Sequence, residues 1–335
     1  MGKRIDYLDT AKFIGIFCIY LGHFAAAAGH AYAFVFTFHV ALFFFLSGCT
    51  ESLGREVPFL DYVKKQAKNI LAPFFFFAVV SLAFHCVYAD SSLDIVPSLE
   101  VIAQGAIRNR FLNGTLWFFT CLFSTKVLFY ALRKLLKNKA LILLACLGLY
   151  VCSMVVCAPG PIDNPHVIYN IDSACYYIAF YGLGYCCFDP IRRLFEFDRP
   201  YKLACFGVIG LASFVYAALL FFGNDVLDRF NVNLATDLVV SVVGPCIVFV
   251  LVLVVSRLLQ DVELFKDLGK NTLYLCGSEY FIKILVPLCL EAVGLNLTLP
   301  NPVAAYLYTF VLLVLCNKTL VPLEKAALKK MRLLK

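Results

Sequence analysis

The 335-residue sequence is too apolar for a soluble globular protein. Hydrophobic residues make up 62% of it and charged residues 15%, whereas a soluble domain carries about 25% charged residues. The formal net charge of +7 gives no reason to expect a nucleic-acid partner, because the basic residues lie between apolar segments, where they report topology and contact anionic lipid headgroups. We predict an all-α polytopic membrane protein in which residues 1–335 form one domain, with a short tail from about 324 to 335.

Ten apolar segments are long enough to span a bilayer. Their predicted bounds, in chain order, are 11–28, 34–53, 70–89, 115–132, 140–158, 172–188, 203–222, 234–256, 272–293 and 303–323. The basic start and first apolar segment also have the layout of a signal peptide, but Asp6, Asp9 and His23 argue against cleavage.

Basic residues orient this bundle. Of the 29 Lys and Arg residues, 23 fall on the side of the membrane that carries the N-terminus. By the positive-inside rule that side is the cytosol, and ten spans return the C-terminus to it. We therefore expect a multi-pass protein of the plasma (inner) membrane with both termini in the cytosol.

The first apolar segment, "KFIGIFCIYLGH", is bounded by Lys12 and His23. These residues are eleven positions apart, which is three helical turns plus roughly 20°, so they share one face with an axial separation of about 16 Å. Polar groups inside a membrane are costly and usually functional. Lys12 has Asp9 one turn before it and has two open interpretations, a cation that binds a ligand or a lysine that extends to the headgroups.

A second histidine, His39, lies in the next segment. With the hairpin turn near Ala31, His23 and His39 are each eight residues from the turn, so antiparallel helices bring them to one depth, about 12 Å below the outer end. A lone buried histidine is more often a satisfied core residue, but a matched pair favours function. A buried imidazole is neutral and can accept a proton.

The second segment also brings two small residues, Ser47 and Gly48, back to the level of Lys12, where they leave room for a ligand. The hairpin thus offers a cation at the inner surface and two bases deeper in. A coenzyme A thioester, with phosphates at one end and a reactive acyl group at the other, fits this line; the spacing permits this interpretation and does not prove it.

Four motifs in order resemble the acyltransferase-3 family of integral membrane proteins. "DTAKFIGIFCIYLGH" resembles the family's first span, with Asp9, Lys12 and His23 at its acidic, basic and histidine positions. "FHVALFFFLSG" resembles its second span, with His39, Ser47 and Gly48 in place. "LWFF" (116–119) and "LGKNTLYLCGSEYF" (268–281) resemble two later motifs, so the likeness covers residues 9 to about 281.

Two positions depart from the family pattern. Many relatives have Met-Pro where this chain has Val40-Ala41, and many have histidine where this chain has Glu279. The second departure puts any role of this late position in doubt.

The resemblance implies transfer of an acyl group, most often acetyl, from cytosolic acyl-coenzyme A to a hydroxyl of a cell-envelope sugar, glycan or lipid-linked sugar. It implies His23 as a general base or transient acyl carrier, His39 as its partner, and Lys12, supported by Asp9, Ser47 and Gly48, as the site of coenzyme A phosphates. No metal is required.

Four further residues are candidates for the acceptor site, each with a structural alternative. Glu279 precedes Lys283 by four residues, which favours either a mutually neutralised ion pair or a carboxylate in the acceptor cavity. Trp117 is either an interfacial aromatic residue or a platform for a sugar ring. Asn113, with Arg108 and Arg110 beside it, could meet a sugar or a lipid-linked phosphate, although "NGT" (113–115) also matches a glycosylation sequon.

The alternative to an enzyme is a transporter or flippase for a glycan or small anion that uses the same intramembrane charges. Inverted halves with corresponding broken helices would favour it. The sequence shows no such symmetry.

Overall fold

The computed structural model describes residues 4–88, 95–156, 161–162, 165–230 and 233–331. Fifteen α-helices account for nearly all the regular structure of these residues, and no strand occurs among them. The helices are α1 (Asp6–Gly22), α2 (His30–Phe36), α3 (His39–Ser52), α4 (Phe59–Gln66), α5 (Ala72–Tyr88), α6 (Ile95–Ala103), α7 (Trp117–Leu136), α8 (Lys139–Val156), α9 (Ile171–Leu194), α10 (Pro200–Phe221), α11 (Leu234–Leu258), α12 (Glu263–Lys270), α13 (Thr272–Ala292), α14 (Pro302–Lys318) and α15 (Leu320–Lys330).

Each of the ten predicted segments coincides with a helix or a pair of consecutive helices. Within the described residues, seven stretches are long and apolar enough to cross a membrane: His30–Ser52, Phe59–Tyr88, Lys139–Val156, Pro200–Phe221, Leu234–Leu258, Thr272–Ala292 and Pro302–Lys330. The other three predicted spans are α1, which has 17 residues, α7 and α9. The all-helical fold is confirmed, and the count of ten spans stays a prediction.

The bounds of the first helix differ from the prediction. Hydrophobicity placed the segment at 11–28, whereas α1 begins at Asp6 and ends at Gly22. The helix begins earlier because its acidic residues are ion-paired, as described below. It ends earlier because a 3₁₀ turn, Ala25–Ala28, leads into Gly29, whose φ of +59° suits glycine.

The chain divides into two compact units, each built from separate stretches. The first comprises the described residues of Met1–Gly54, Phe180–Thr272 and Thr298–Val314. In it α1 is central: most of its side chains are buried, and it packs on α2, α3, α11 and α12. After its charged first turns, α1 is apolar on every side from Phe13 to Gly22, as expected of a helix in such an interior position.

The second unit comprises Arg55–Ala179, Leu273–Leu297 and the described residues of Leu315–Lys335. In it α7 packs against α4, α8 and the π-helical turn Ala67–Leu71. The Tyr130 hydroxyl of α7 donates to the Val57 carbonyl at 2.6 Å, and its ring stacks on Tyr62 at 3.8 Å between centroids. A buried asparagine, Asn170, donates to Thr120 at 2.9 Å and accepts from the Arg108 amide at 3.0 Å, which fixes the loop before α7.

Candidate functional site

The charged end of α1 is an ion-pair cluster. Asp9 is 1% exposed, and its carboxylate accepts from Lys12 at 3.3 Å and from two guanidinium nitrogens of Arg4. A buried carboxylate is tolerated only when it is paired in this way. Lys12 is therefore held by Asp9 instead of extending alone to the headgroups, and its ammonium retains N–H donors for a ligand.

The Asp9 backbone explains a later motif. A Cβ at Gly269, in the "LGKNTL" stretch, would overlap the Asp9 carbonyl oxygen. The side chain of Phe13, one turn on, stacks on Phe265 with centroids 4.4 Å apart. Glycine in α12 therefore lets this short helix lie directly against the start of α1.

At the other end of α1, His23 follows the last helical residue. Its backbone N–H bonds the Tyr20 carbonyl at 3.2 Å, and its side chain is exposed. The expected burial is therefore not found for this histidine. The exposure leaves the imidazole accessible, and the helix still places it three turns above Lys12 on the same face.

His39 is the buried histidine of the two, with 6% exposure. Its Nδ1 lies 2.5 Å from the Val35 carbonyl oxygen, and a carbonyl can only accept, so Nδ1 carries the proton. In the neutral imidazole the basic lone pair is then on Nε2. The Phe36 ring lies edge-on to His39 with centroids 5.1 Å apart.

The two histidines lie at different levels. A Cβ on Gly15 would be 2.9 Å from the Phe43 ring, and one on Gly22 would be 3.2 Å from the Phe36 ring. Both pairs are symmetric about Gly29, so this residue, and not Ala31, is the centre of the hairpin. His23 is six residues before that centre and His39 ten after, which leaves His39 four residues, about 6 Å, farther down.

Gly48 has a packing role at the contact between α3 and α9, and ligand binding at Ser47 and Gly48 stays a prediction. A Cβ at Gly48 would overlap the Tyr181 carbonyl oxygen of α9, and one at Gly184 would overlap the Phe45 carbonyl oxygen of α3. The two helices thus cross backbone against backbone, with no room between them. Ser47, on the same turn, accepts from the Thr50 hydroxyl through its carbonyl at 2.8 Å.

The crossing holds a buried acid that the sequence did not single out. Glu51 is 8% exposed, and its carboxylate accepts from the Tyr181 hydroxyl at 3.2 Å. The sequence did contain a signal for this residue, namely an acidic side chain one turn after Ser47 within an apolar segment.

In the second unit, Asn113 connects three elements. Its amide donates to the Ser81 hydroxyl at 2.9 Å and to the Gly277 carbonyl at 3.1 Å, and accepts from Thr115 at 2.8 Å. The side chain is 1% exposed. Both amide groups are engaged, so Asn113 has a bridging role and the sequon nitrogen is inaccessible in this structure; contact of Asn113 with a sugar stays a prediction.

Trp117 is not an open platform for a sugar ring. The indole is 8% exposed, the Arg108 guanidinium carbon lies 4.6 Å from its ring centroid, and the Tyr177 ring lies 6.1 Å away. One face of the indole is therefore covered by Arg108 in a cation–π contact.

Glu279 and Lys283 form the ion pair expected from their spacing, with 2.7 Å between Oε1 and Nζ. Glu279 is 5% exposed. The preceding residue, Ser278, donates to Glu324 of α15 at 2.5 Å. The structural alternative for Glu279, a neutralising ion pair, thus has its partner in place.

Helical spans, an ion pair at one end of α1 and a histidine at its other end define an integral membrane protein with polar groups arranged along its first helix. Family comparison gives this class a name. The acyltransferase domain of the acyltransferase-3 family matches residues 5–317, nearly the whole chain, and the protein belongs to that family. Comparisons with curated proteins and with solved structures find no match.

Proposed function

We propose that this membrane acyltransferase transfers an acetyl group from cytosolic acetyl-coenzyme A to a hydroxyl of a cell-envelope glycan or lipid-linked sugar. The observation that carries the proposal is α1, one unbroken helix with Lys12 near its start and an accessible His23 at its end. A donor that spans the roughly 16 Å between them places its charged part and its thioester at opposite ends.

In this mechanism His23 removes the proton of the acceptor hydroxyl as the hydroxyl oxygen attacks the thioester carbonyl. The carbon–sulfur bond then breaks and coenzyme A leaves as the thiolate, which takes up the proton from His23. In the two-step form, the imidazole nitrogen attacks the thioester carbonyl and coenzyme A leaves as the thiolate; the acceptor hydroxyl then attacks the acetyl-imidazole, which returns the free imidazole, and the hydroxyl proton passes to the thiolate.

His39 supports this reaction from the neighbouring helix. Its Nδ1 proton is fixed on the Val35 carbonyl, so Nε2 is the nitrogen that accepts a proton. Because His39 is about 6 Å below His23 along the hairpin, we propose that a water bridges them and shares the proton. Lys12 would contribute a charge-assisted contact to the donor phosphates.

The proposed topology has ten spans, both termini in the cytosol and the plasma (inner) membrane as location. It is supported by the loop distribution of 23 of the 29 basic residues and by a helix at every predicted segment. A reporter fused after Lys335 should read cytosolic, and a reporter inserted in the 90–114 loop should read external. The same side for both would contradict the topology.

The direct test of function uses purified protein, acetyl-coenzyme A labelled in the acetyl group, and envelope glycan fractions. The expected result is a labelled glycan whose label remains after noncovalent ligands are removed. The His23→Ala variant should not produce this labelled glycan. A transporter predicts movement of an unlabelled solute and no labelled product. Absence of label on every acceptor fraction, with the protein folded, would contradict the proposal.

A further inference from the structure

A groove with a volume of about 510 Å³ lies within the second unit. One wall is α7, which contributes a run of half-exposed side chains from Phe123 to Ala131. Leu71, the last residue of the π-helical turn, lines the groove as well, and the start of α9 lines it with Ile171 and Ala174. The α7 residues recur every three or four positions, so they share one face and the groove follows the helix axis for about 12 Å.

The lining of the groove is apolar and offers a ligand almost no hydrogen bond. Ser124 and Tyr169 are the two lining residues with polar side-chain atoms. The Ser124 hydroxyl donates to the Tyr169 carbonyl at 2.9 Å, and the Tyr169 amide donates to the Gln104 carbonyl at 2.8 Å. These bonds fix Tyr169 at the end of the groove nearer Phe123. Because unpaired polar groups are costly in apolar surroundings, such a lining suits an alkyl chain and disfavours a sugar or a nucleotide.

The opposite end of the groove leads to basic residues on both walls. On α7, Lys134 lies one turn after Ala131 and on the same face. On the other wall, Lys64 and Lys68 precede Leu71 by seven and three residues in one continuous helical stretch, so they lie on the same side of it. Since α4 and the π-helical turn both pack against α7, these basic residues flank the same end of the groove.

The charges at this end do not cancel one another. Five basic and two acidic residues lie on α4, on the turns that flank it and on the last turn of α7: Lys64, Lys65, Lys68, Arg133, Lys134, Glu56 and Asp61. Glu56 lies 3.4 Å from Arg133 and 3.5 Å from Lys134, so one carboxylate is shared between two cations. The positive charge that remains attracts an anionic lipid headgroup.

Lys64 and Lys68 are the available cations of this set. Within the described part of the chain, neither makes a hydrogen bond or an ion pair. Lys64 is exposed and Lys68 is half-buried, as expected of lysines whose stems lie on apolar surface while their ammonium groups reach a polar partner. Lys65, the next residue along, is turned away from Leu71.

We infer that this groove binds one alkyl chain of an anionic phospholipid whose phosphate lies at Lys64 and Lys68. The inference goes beyond the proposed function and does not depend on acyl transfer. An apolar groove that ends at two lysines matches a molecule in which an alkyl chain is joined to a phosphate. A polyprenyl phosphate has the same two parts, but Tyr169 bounds the groove after about 12 Å, which accommodates part of an acyl chain and is much shorter than a polyprenyl chain.

Lipid binding can be measured without catalysis, by native mass spectrometry of the full-length protein in detergent. The protein would be titrated with phosphatidylglycerol and with phosphatidylcholine that carry the same acyl chains, and phosphatidylglycerol should bind more tightly. Lys64→Gln and Lys68→Gln should each weaken phosphatidylglycerol binding about 5-fold and leave phosphatidylcholine binding unchanged. Lys65→Gln is the matched control: it removes the same charge from the neighbouring position and should bind phosphatidylglycerol nearly as the wild type does.

The apolar part of the site is tested by filling the groove. Ala131→Phe places a ring in the groove near its basic end, so it should weaken binding of both lipids. Its melting temperature should stay near that of the wild type because Ala131 is half-exposed. Ala140→Phe makes the same change at an exposed position outside the groove and should bind both lipids normally.

Several outcomes would contradict the inference. Equal affinity of the wild type for the two lipids would overturn it, and so would unchanged phosphatidylglycerol affinity when Lys64→Gln and Lys68→Gln are combined. A loss in Lys65→Gln as large as that in Lys64→Gln would indicate attraction to charge in general and would overturn the assignment to this groove. Tighter binding of undecaprenyl phosphate than of phosphatidylglycerol would overturn the assignment to a phospholipid. Lipid binding that depends on both lysines, in a protein that never transfers acetyl, would contradict the proposed function and leave this site intact.

Discussion

The first hairpin and the segments around Asn113 both place polar side chains among apolar ones, yet the two regions use them differently. In the second unit the amide of Asn113 has a partner on each of its polar atoms, and Arg108 lies on Trp117. In the first unit the His23 side chain is exposed, and the buried Tyr7 hydroxyl has no hydrogen-bond partner among the described residues. A buried polar group bonded on each of its polar atoms stabilises the fold, whereas an exposed imidazole is accessible to a ligand.

The largest effect is expected for His23. His23→Ala should lower acetyl transfer by about 10²- to 10⁴-fold, the usual contribution of a general base. Its melting temperature should stay near that of the wild type because the side chain is exposed. Labelled transfer and thermal unfolding of the same preparation measure both quantities.

His39→Ala is the companion variant. It should lose both activity and stability, because this imidazole is buried and bonded to Val35. The double variant should fall short of the product of the two activity losses if the histidines act as one unit. Near-normal turnover by folded His23→Ala would contradict the proposed mechanism.

Lys12 should have the next largest effect, confined to the donor. Lys12→Ala should raise the apparent KM for acetyl-coenzyme A by roughly 10- to 150-fold, which corresponds to about 1.5–3 kcal/mol for a charge-assisted contact. The KM for the acceptor should change little. Lys12→Arg keeps the charge beside Asp9 and should retain most of the donor affinity; an unchanged donor KM in Lys12→Ala would leave Lys12 as a partner of Asp9 alone.

Asn113 should show the opposite pattern to His23. Asn113→Ala leaves the Ser81 hydroxyl and the Gly277 carbonyl without this buried partner, so stability should fall by about 1–3 kcal/mol. The acceptor KM of the remaining folded protein should be unchanged. Thr115→Val removes another bond of the same network, and the two losses should be non-additive; a raised acceptor KM at full stability would restore Asn113 as a substrate residue.

The smallest effect is expected for the cation–π contact. Arg108→Gln should lower stability by about 0.5–2 kcal/mol, with transfer kinetics unchanged in folded protein. Arg110→Gln, at an exposed neighbouring position, is the control and should match the wild type. A selective loss of acceptor affinity in Arg108→Gln would contradict this and indicate that Arg108 binds the acceptor.

The helical fold could be predicted because spans are apolar over their whole length, and the Glu279–Lys283 pair because its spacing lies within one helix. The level of the histidines could not, since it depends on a 3₁₀ turn and on the positive φ of Gly29. Short helices such as α12 are too polar for a hydropathy signal. Contacts between segments that are far apart along the chain could not be predicted from the sequence either.

A cavity in the first unit is lined by residues that are far apart in the sequence and could not be predicted to meet. Two of these residues, Arg192 and Arg257, each follow an apolar segment, so the sequence used them only to orient the spans. Their positions on the same predicted side of the membrane were a signal that they could lie near each other. A third residue that lines the cavity, Tyr7, comes from the start of the chain. Only packing of α1, α9 and α11 brings these three residues to one space.

The crossing at Gly48 and Gly184 constrains how the protein can move. A contact made of two backbones contains no side chain that can change rotamer, so α3 and α9 cannot approach more closely or slide past each other at this point without a clash. His39 begins α3 and Arg192 lies near the end of α9. Both helices are continuous between the crossing and these residues, so any tilt of α3 against α9 would move His39 relative to Arg192.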